Sequence, residues 1–197
     1  MSRTRLLKIG YLVVLGALAL AVVALARHFR SPAVVVAAAL VLLVPGRIQA
    51  WLCRDLFRAR RLFDRQQPAA SLPHSERFLA AVRARPWLDR ALWFGWPIYT
   101  VSARAMCFNN IGAAQLELGA LVEARRAFEA ALALDPAYPI PHVNLAVIGQ
   151  AQGRHDAAAR HAGDAVRLGY SGGTVDSIVA TGQSLAARLE GRGGGRD

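Results

Sequence analysis

Five residue pairs in the C-terminal half of the chain recur at an interval of 34: Asn110 and Asn144, Gly119 and Gly153, Ala124 and Ala158, Ala131 and Ala165, Leu134 and Leu168. A fixed interval of this size marks a repeated supersecondary unit that cannot bury its apolar face alone and must stack on its neighbours. Two units follow, 105–138 and 139–172. In the first, Phe108, Ile111, Gly112 and Leu116 share one helical face, and Gly119 suits a C-terminal turn. Leu121, Ala124, Phe128 and Ala131 then mark a second helix, which Asp135-Pro136 stops because proline cannot continue it. Small residues at 112, 124 and 131 let the two helices approach closely, while Phe128 fills the space between them.

This pattern resembles the tetratricopeptide repeat (TPR) family, whose 34-residue unit asks for an aromatic, a Leu and a Gly, then Ala, Phe, Ala and Pro. The first unit supplies Phe108, Ile111, Gly112, Ala124, Phe128, Ala131 and Pro136, with Gln115 where a second aromatic belongs. The second supplies Leu145, Ala146, Ala158 and Ala165, but has Ala162 for the Phe and Tyr170 for the Pro. Upstream, Phe78, Ala81 and Pro86 repeat the spacing of Phe128, Ala131 and Pro136, so 71–86 reads as the second helix of a degenerate first repeat. Its partner would be the arginine-rich segment after Trp51. A strict register there places Arg58, Arg61 and Arg65 at core positions, so either the register slips or the pairing is wrong. Val175, Ile178, Val179, Gly182, Leu185, Ala186 and Leu189 keep helical spacing and predict a capping helix over 173–190, followed by a disordered tail, 191–197. The expected fold is all-α: a transmembrane hairpin, then a short TPR-like α-solenoid with its cap.

The hairpin is read from residues 1–50. Ile9–Ala26 carries no charge and as a helix spans ~27 Å, close to the hydrocarbon thickness of a bilayer. A second apolar run starts at Ser31-Pro32, a natural cap and first helical position, and is expected to kink or end at Pro45-Gly46. The two predicted helices are about 6–26 and 32–46. The second is short enough that it crosses with little tilt or re-enters without crossing. Residues 1–66 hold 11 Lys+Arg against two acids, a net of +9, whereas 67–197 hold 13 against 11. The basic excess thus flanks the apolar runs, which points to anionic lipid rather than to nucleic acid. With both ends inside, nine basic residues face the cytoplasm and two the exterior, the favoured orientation. Ala24-Leu25-Ala26 also resembles a cleavage site, so a secreted chain after signal removal is the rival reading.

Residues 51–104 are expected to hold an amphipathic basic helix, the degenerate repeat and a tryptophan-rich insertion. Arg47, Arg54, Arg58, Arg61 and Arg65 fall on one side of a helical wheel and form a ridge suited to lipid headgroups, or simply a solvated face. Trp51 sits at its membrane end as an interfacial aromatic. The insertion contributes Trp93 and Trp96, either as interfacial or docking groups or as packed core aromatics.

No phosphate loop, dinucleotide glycine pattern, nucleophile elbow or zinc-protease motif occurs, and the histidines are scattered, so no enzyme activity, cofactor, metal or small-molecule substrate is expected. Cys53 and Cys107 lack ligand spacing and read as free thiols in a reducing compartment. The TPR resemblance implies a concave groove that binds a protein or peptide, with Asn110, Asn144, Met106 and Glu117 as groove residues. An Asn amide there can pair with a ligand backbone, or bridge neighbouring helices instead. Met106 and Ile140 stand where some family members place basic residues, which argues against an acidic-tail ligand. The sequence reading is therefore a scaffold anchored in a bacterial inner membrane, its repeats cytoplasmic. The alternative is a small structural subunit whose hairpin makes the essential contacts.

Overall fold

A computed structural model describes residues 3–29, 32–89 and 99–193. Among these residues the chain forms nine helices: α1 Arg3–Phe29, α2 Pro32–Leu52, α3 Arg54–Asp64, α4 Pro68–Ala84, α5 Ala103–Glu117, α6 Leu121–Leu134, α7 Pro139–Ala151, α8 His155–Arg167 and α9 Val175–Gly193. Helix α9 runs to Gly193, so residues 191–193 of the expected disordered tail are helical, because the helix continues past the last apolar position; the rest of that tail, with Trp93 and Trp96, lies outside the described residues.

The interval of 34 is written into the backbone. Helices α6 and α8 start 34 residues apart, and Gly119 and Gly153 close the preceding helices at φ +81° and +72°. Their closing bonds match as well: Ala120 N–H donates to Gln115 C=O at 2.9 Å, and Arg154 N–H to Gly149 C=O at 2.8 Å. This is the six-to-one bond of a glycine C-cap, which satisfies a helix-end carbonyl that would otherwise lack a partner. Ala124, Ala131, Ala158 and Ala165 are all fully buried.

The two units fill their cores differently. In the first, a methyl group added to Gly112 would lie 2.7–2.9 Å from three carbons of the Phe128 ring, so only glycine lets the ring seat there. The second unit has Ala146 and Ala162 at these positions, both buried in a cluster with Val147, Ile178 and Leu185. The space vacated by the aromatic thus goes to the capping helix, and α9 contacts both α7 and α8. Its own start is fixed by a reciprocal capping box: Thr174 Oγ1 accepts from Ser177 N–H at 3.3 Å, and Ser177 Oγ accepts from Thr174 N–H at 2.9 Å. The units also end differently, because α8 lacks the proline and closes through Gly169 at φ +98°.

Upstream, α3 pairs with α4 and α4 packs on α5, so a third helical hairpin precedes the two units. Its core joins Cys53, Leu56, Phe78, Val82 and Leu88 to Ala103 and Cys107. Of the two alternatives, a slipped register or a wrong pairing, the helix register slips. Arg58, Arg61 and Arg65 are exposed, and Cys53, Leu56 and Ala59 are buried in their stead. Burying three guanidinium groups without partners would be far costlier than a shift of the helix face. Asp55 ties the pair together, since His74 Nδ1 lies 2.9 Å from its carboxylate and Arg77 Nε 3.8 Å. Helix α4 starts at Pro68, three residues before the expected 71, because proline suits the first helical position.

Helix α2 does not end at Pro45-Gly46 but continues to Leu52. A proline removes one bond of the ladder, and the flanking bonds carry the helix on to Cys53 N–H donating to Gln49 C=O at 2.8 Å. The break falls at Cys53 instead, so the basic segment is not one continuous helix: Arg47 and exposed Trp51 belong to α2, and Arg54, Arg58 and Arg61 to α3, with Arg65 at its C-cap. Helix α1 contacts α2. Among the described residues, Ile9–His28 is the one stretch long and apolar enough to span a membrane, and none of it is buried.

Candidate functional site

The face that α5, α7 and α9 share opens into a cleft of about 390 Å³. Its floor is apolar, with Val147, Ile178 and Leu185 buried beneath and Leu116, Val143 and Tyr170 along the sides. Its polar groups are Asn144, Ser177, Thr181 and a pair of opposite charges, Glu117 and Arg188. This arrangement can take an apolar side chain while hydrogen-bonding groups stand near the main chain that carries it. The packing of α9 beside the cleft depends on Gly182. A methyl group there would meet Gln150 Cβ at 2.5 Å and the Val147 carbonyl oxygen at 3.0 Å, so glycine brings α9 directly onto α7.

The four groove residues expected from sequence separate. Asn144 and Glu117 line the cleft. Asn110 is 7% exposed, and Met106 packs against the core of the first hairpin. The Asn144 side chain also has a structural duty, its Nδ2 donating to Asn109 Oδ1 at 3.3 Å across the α5–α7 boundary. Asn109 itself is 4% exposed. Bridging of neighbouring helices is the alternative role for Asn144, and its partner is Asn109, the residue before the Asn110 with which the repeat interval aligns it. Ser177, Thr181 and Arg188 were missed because they belong to the capping helix.

A polar network, buried at Thr100 and Asp135, fixes the segment leading into α5. Ser102 caps that helix, its Oγ accepting from Ala105 N–H at 3.1 Å. Asp89 reinforces the cap by accepting from Ser102 Oγ at 3.0 Å and Arg104 N–H at 2.7 Å, and Thr100 Oγ1 donates to buried Asp135 at 2.7 Å. Tyr138 packs nearby, where burial pushes its phenol well above the usual range. Both cysteines are buried free thiols, and burial raises Cys53 to about 11 and Cys107 to about 12.

A second cluster of polar side chains lies on the α7–α8 seam. His142 Nδ1 and His161 Nδ1 are 3.0 Å apart, and one ligand-capable atom from each of His142, His161 and Asp164 falls within 4.8 Å of the others. Burial, followed by the neighbouring His142, lowers the His161 pKa below its ordinary value of 6.5.

No known protein family's model matches the chain, and no curated protein matches it.

Proposed function

We infer that the chain is a membrane-anchored scaffold of TPR-like hairpins that holds a segment of a partner protein in the cleft between α5, α7 and α9. One observation carries this reading: an apolar-floored, polar-rimmed cleft spans three alternate helices of a stack that is tethered to an apolar helix with no buried residue in its span. The 34-residue backbone repeat, with paired glycine caps and paired buried alanines, supports membership of the TPR class. The described residues offer a cleft suited to recognition, and the opposite charges of Glu117 and Arg188 favour a segment that carries both polar ends of its main chain or a mixed-charge sequence.

On this reading α1 and α2 form a transmembrane hairpin in a bacterial inner membrane, with the stack on the cytoplasmic side. The exposed arginines of α3 then face anionic headgroups, and exposed Trp51 lies at the interface. Topology tests it. Cysteines introduced at exposed His28 and at exposed Gln67 report the two sides, and the native thiols are too buried to interfere. Labelling from outside at His28 and only after lysis at Gln67 is expected. Labelling at Gln67 in intact cells sinks the hairpin and favours a cleaved, exported chain.

A further inference from the structure

We propose that His142, His161 and Asp164 form a binding site for a divalent transition-metal ion of the zinc class at the seam between α7 and α8. Three observations converge on it. The first is geometric: the two Nδ1 atoms stand 3.0 Å apart. Two nitrogens bound to one ion at ~2.1 Å lie about 3.0 Å apart in octahedral geometry and about 3.4 Å in tetrahedral geometry. The third ligand atom lies no more than 4.8 Å from either nitrogen. Tetrahedral ligands of one ion lie about 3.4 Å apart, so a shift of the Asp164 side chain by up to about 1.4 Å completes the set.

The second observation comes from the repeat. Residues 34 earlier, at the same seam of the first unit, are Phe108, Ala127 and Ala130. All three positions therefore change from apolar to metal-ligating types together, and they do so at a helix boundary where the other unit packs hydrocarbon. The third is chemical. Two imidazoles in Nδ1–Nδ1 contact need one proton between them, and an ion replaces that proton. The donor ring takes the Nε2–H tautomer, so both rings bind as neutral ligands and the exchange leaves their protonation count unchanged. Arg167 donates to Asp164 Oδ1 at 2.5 Å and orients the carboxylate, whose second oxygen remains to bind. Two histidines and one carboxylate fill three positions and leave at least one for water or for a side chain of a docked partner.

The test uses the full-length chain in detergent, purified without a histidine tag, stripped with chelator and titrated with Zn²⁺ and Co²⁺. One saturable equivalent is expected, with affinity in the micromolar range or tighter, a rise in Tm on Zn²⁺ binding and a Co²⁺ absorption band in the visible. His161→Asn and, separately, Asp164→Asn should each weaken binding about tenfold or more. His155→Asn, at an exposed histidine outside the cluster, should leave it unchanged. The metal-free Tm of each variant identifies any that fails to fold, and the second variant then decides. Absence of saturable binding below about 100 µM metal overturns the proposal, as does an equal loss in His155→Asn.

Discussion

Replacing Gly112 by alanine should destabilise the first hairpin, and the sign of the effect should reverse when Phe128 is removed. The added methyl group would sit 2.7, 2.8 and 2.9 Å from Phe128 Cε1, Cδ1 and Cζ. The ring has no room to retreat, since Phe128 is fully buried among Ala124, Leu145 and Ile148. Overpacking of this kind costs ~1–3 kcal/mol, and the gain in helix propensity from glycine to alanine offsets ~1 kcal/mol. A net loss of up to about 2 kcal/mol follows, which lowers Tm by up to roughly 4–8 °C for a chain of this size. In a Phe128→Ala background, itself costing ~3–5 kcal/mol, the clash is absent and the methyl group enters the cavity. Gly112→Ala should there stabilise by up to ~1 kcal/mol, because the pair becomes the Ala146–Ala162 arrangement that the second unit already uses. Thermal unfolding of the four proteins, followed by circular dichroism in one detergent, gives the coupling as a double-mutant cycle. Equal effects of Gly112→Ala in both backgrounds would refute the close-packing argument, as would a rise in Tm for the single substitution.

Two further outcomes follow from local geometry. Gly153→Ala meets no atom within 4 Å but holds φ +72°, so it should cost ~1 kcal/mol through backbone strain alone, and a Gly153→Asn protein should recover part of that loss on chemical denaturation. Cys107, raised to about 12 against 9.0 for a free thiol, has ~1000-fold less thiolate at pH 8 than in the unfolded chain. Maleimide should therefore modify it only after denaturation. Because the fold favours the protonated thiol, its contribution to stability persists below the unfolded value and declines as pH rises from 9 towards 12.

The sequence shows most plainly what local chemistry decides. The 34-residue interval, the glycine caps, the proline stop after Asp135 and the apolar span at Ile9 each rest on one residue's conformational or solvation preference, and each is found in place. What depends on several segments at once was harder to read. The repeat interval alone left the register of α3 open, because face choice there is set by the desolvation cost of Arg58, Arg61 and Arg65, which outweighs repeat alignment. The extension of α2 beyond Pro45 turns on the balance between one missing bond and the turns around it. Five of the thirteen residues that line the cleft come from α9, outside the repeat, and α9 packs closely on α7 through the glycine at 182. His142 and His161 are 19 residues apart, so no local spacing links them; the comparison that exposes them is with Phe108 and Ala127 in the other unit.

The scaffold reading is tested most directly by a photo-crosslinking residue placed in the cleft of the native chain in whole cells. Thr181 is exposed and lines the cleft, whereas Asp156 is exposed on α8 outside it. Irradiation should yield a discrete heavier adduct from the Thr181 position and none of that mass from Asp156. Identical adducts from both positions, or none from Thr181 in membranes where the chain is correctly inserted, would contradict a partner held between α5, α7 and α9.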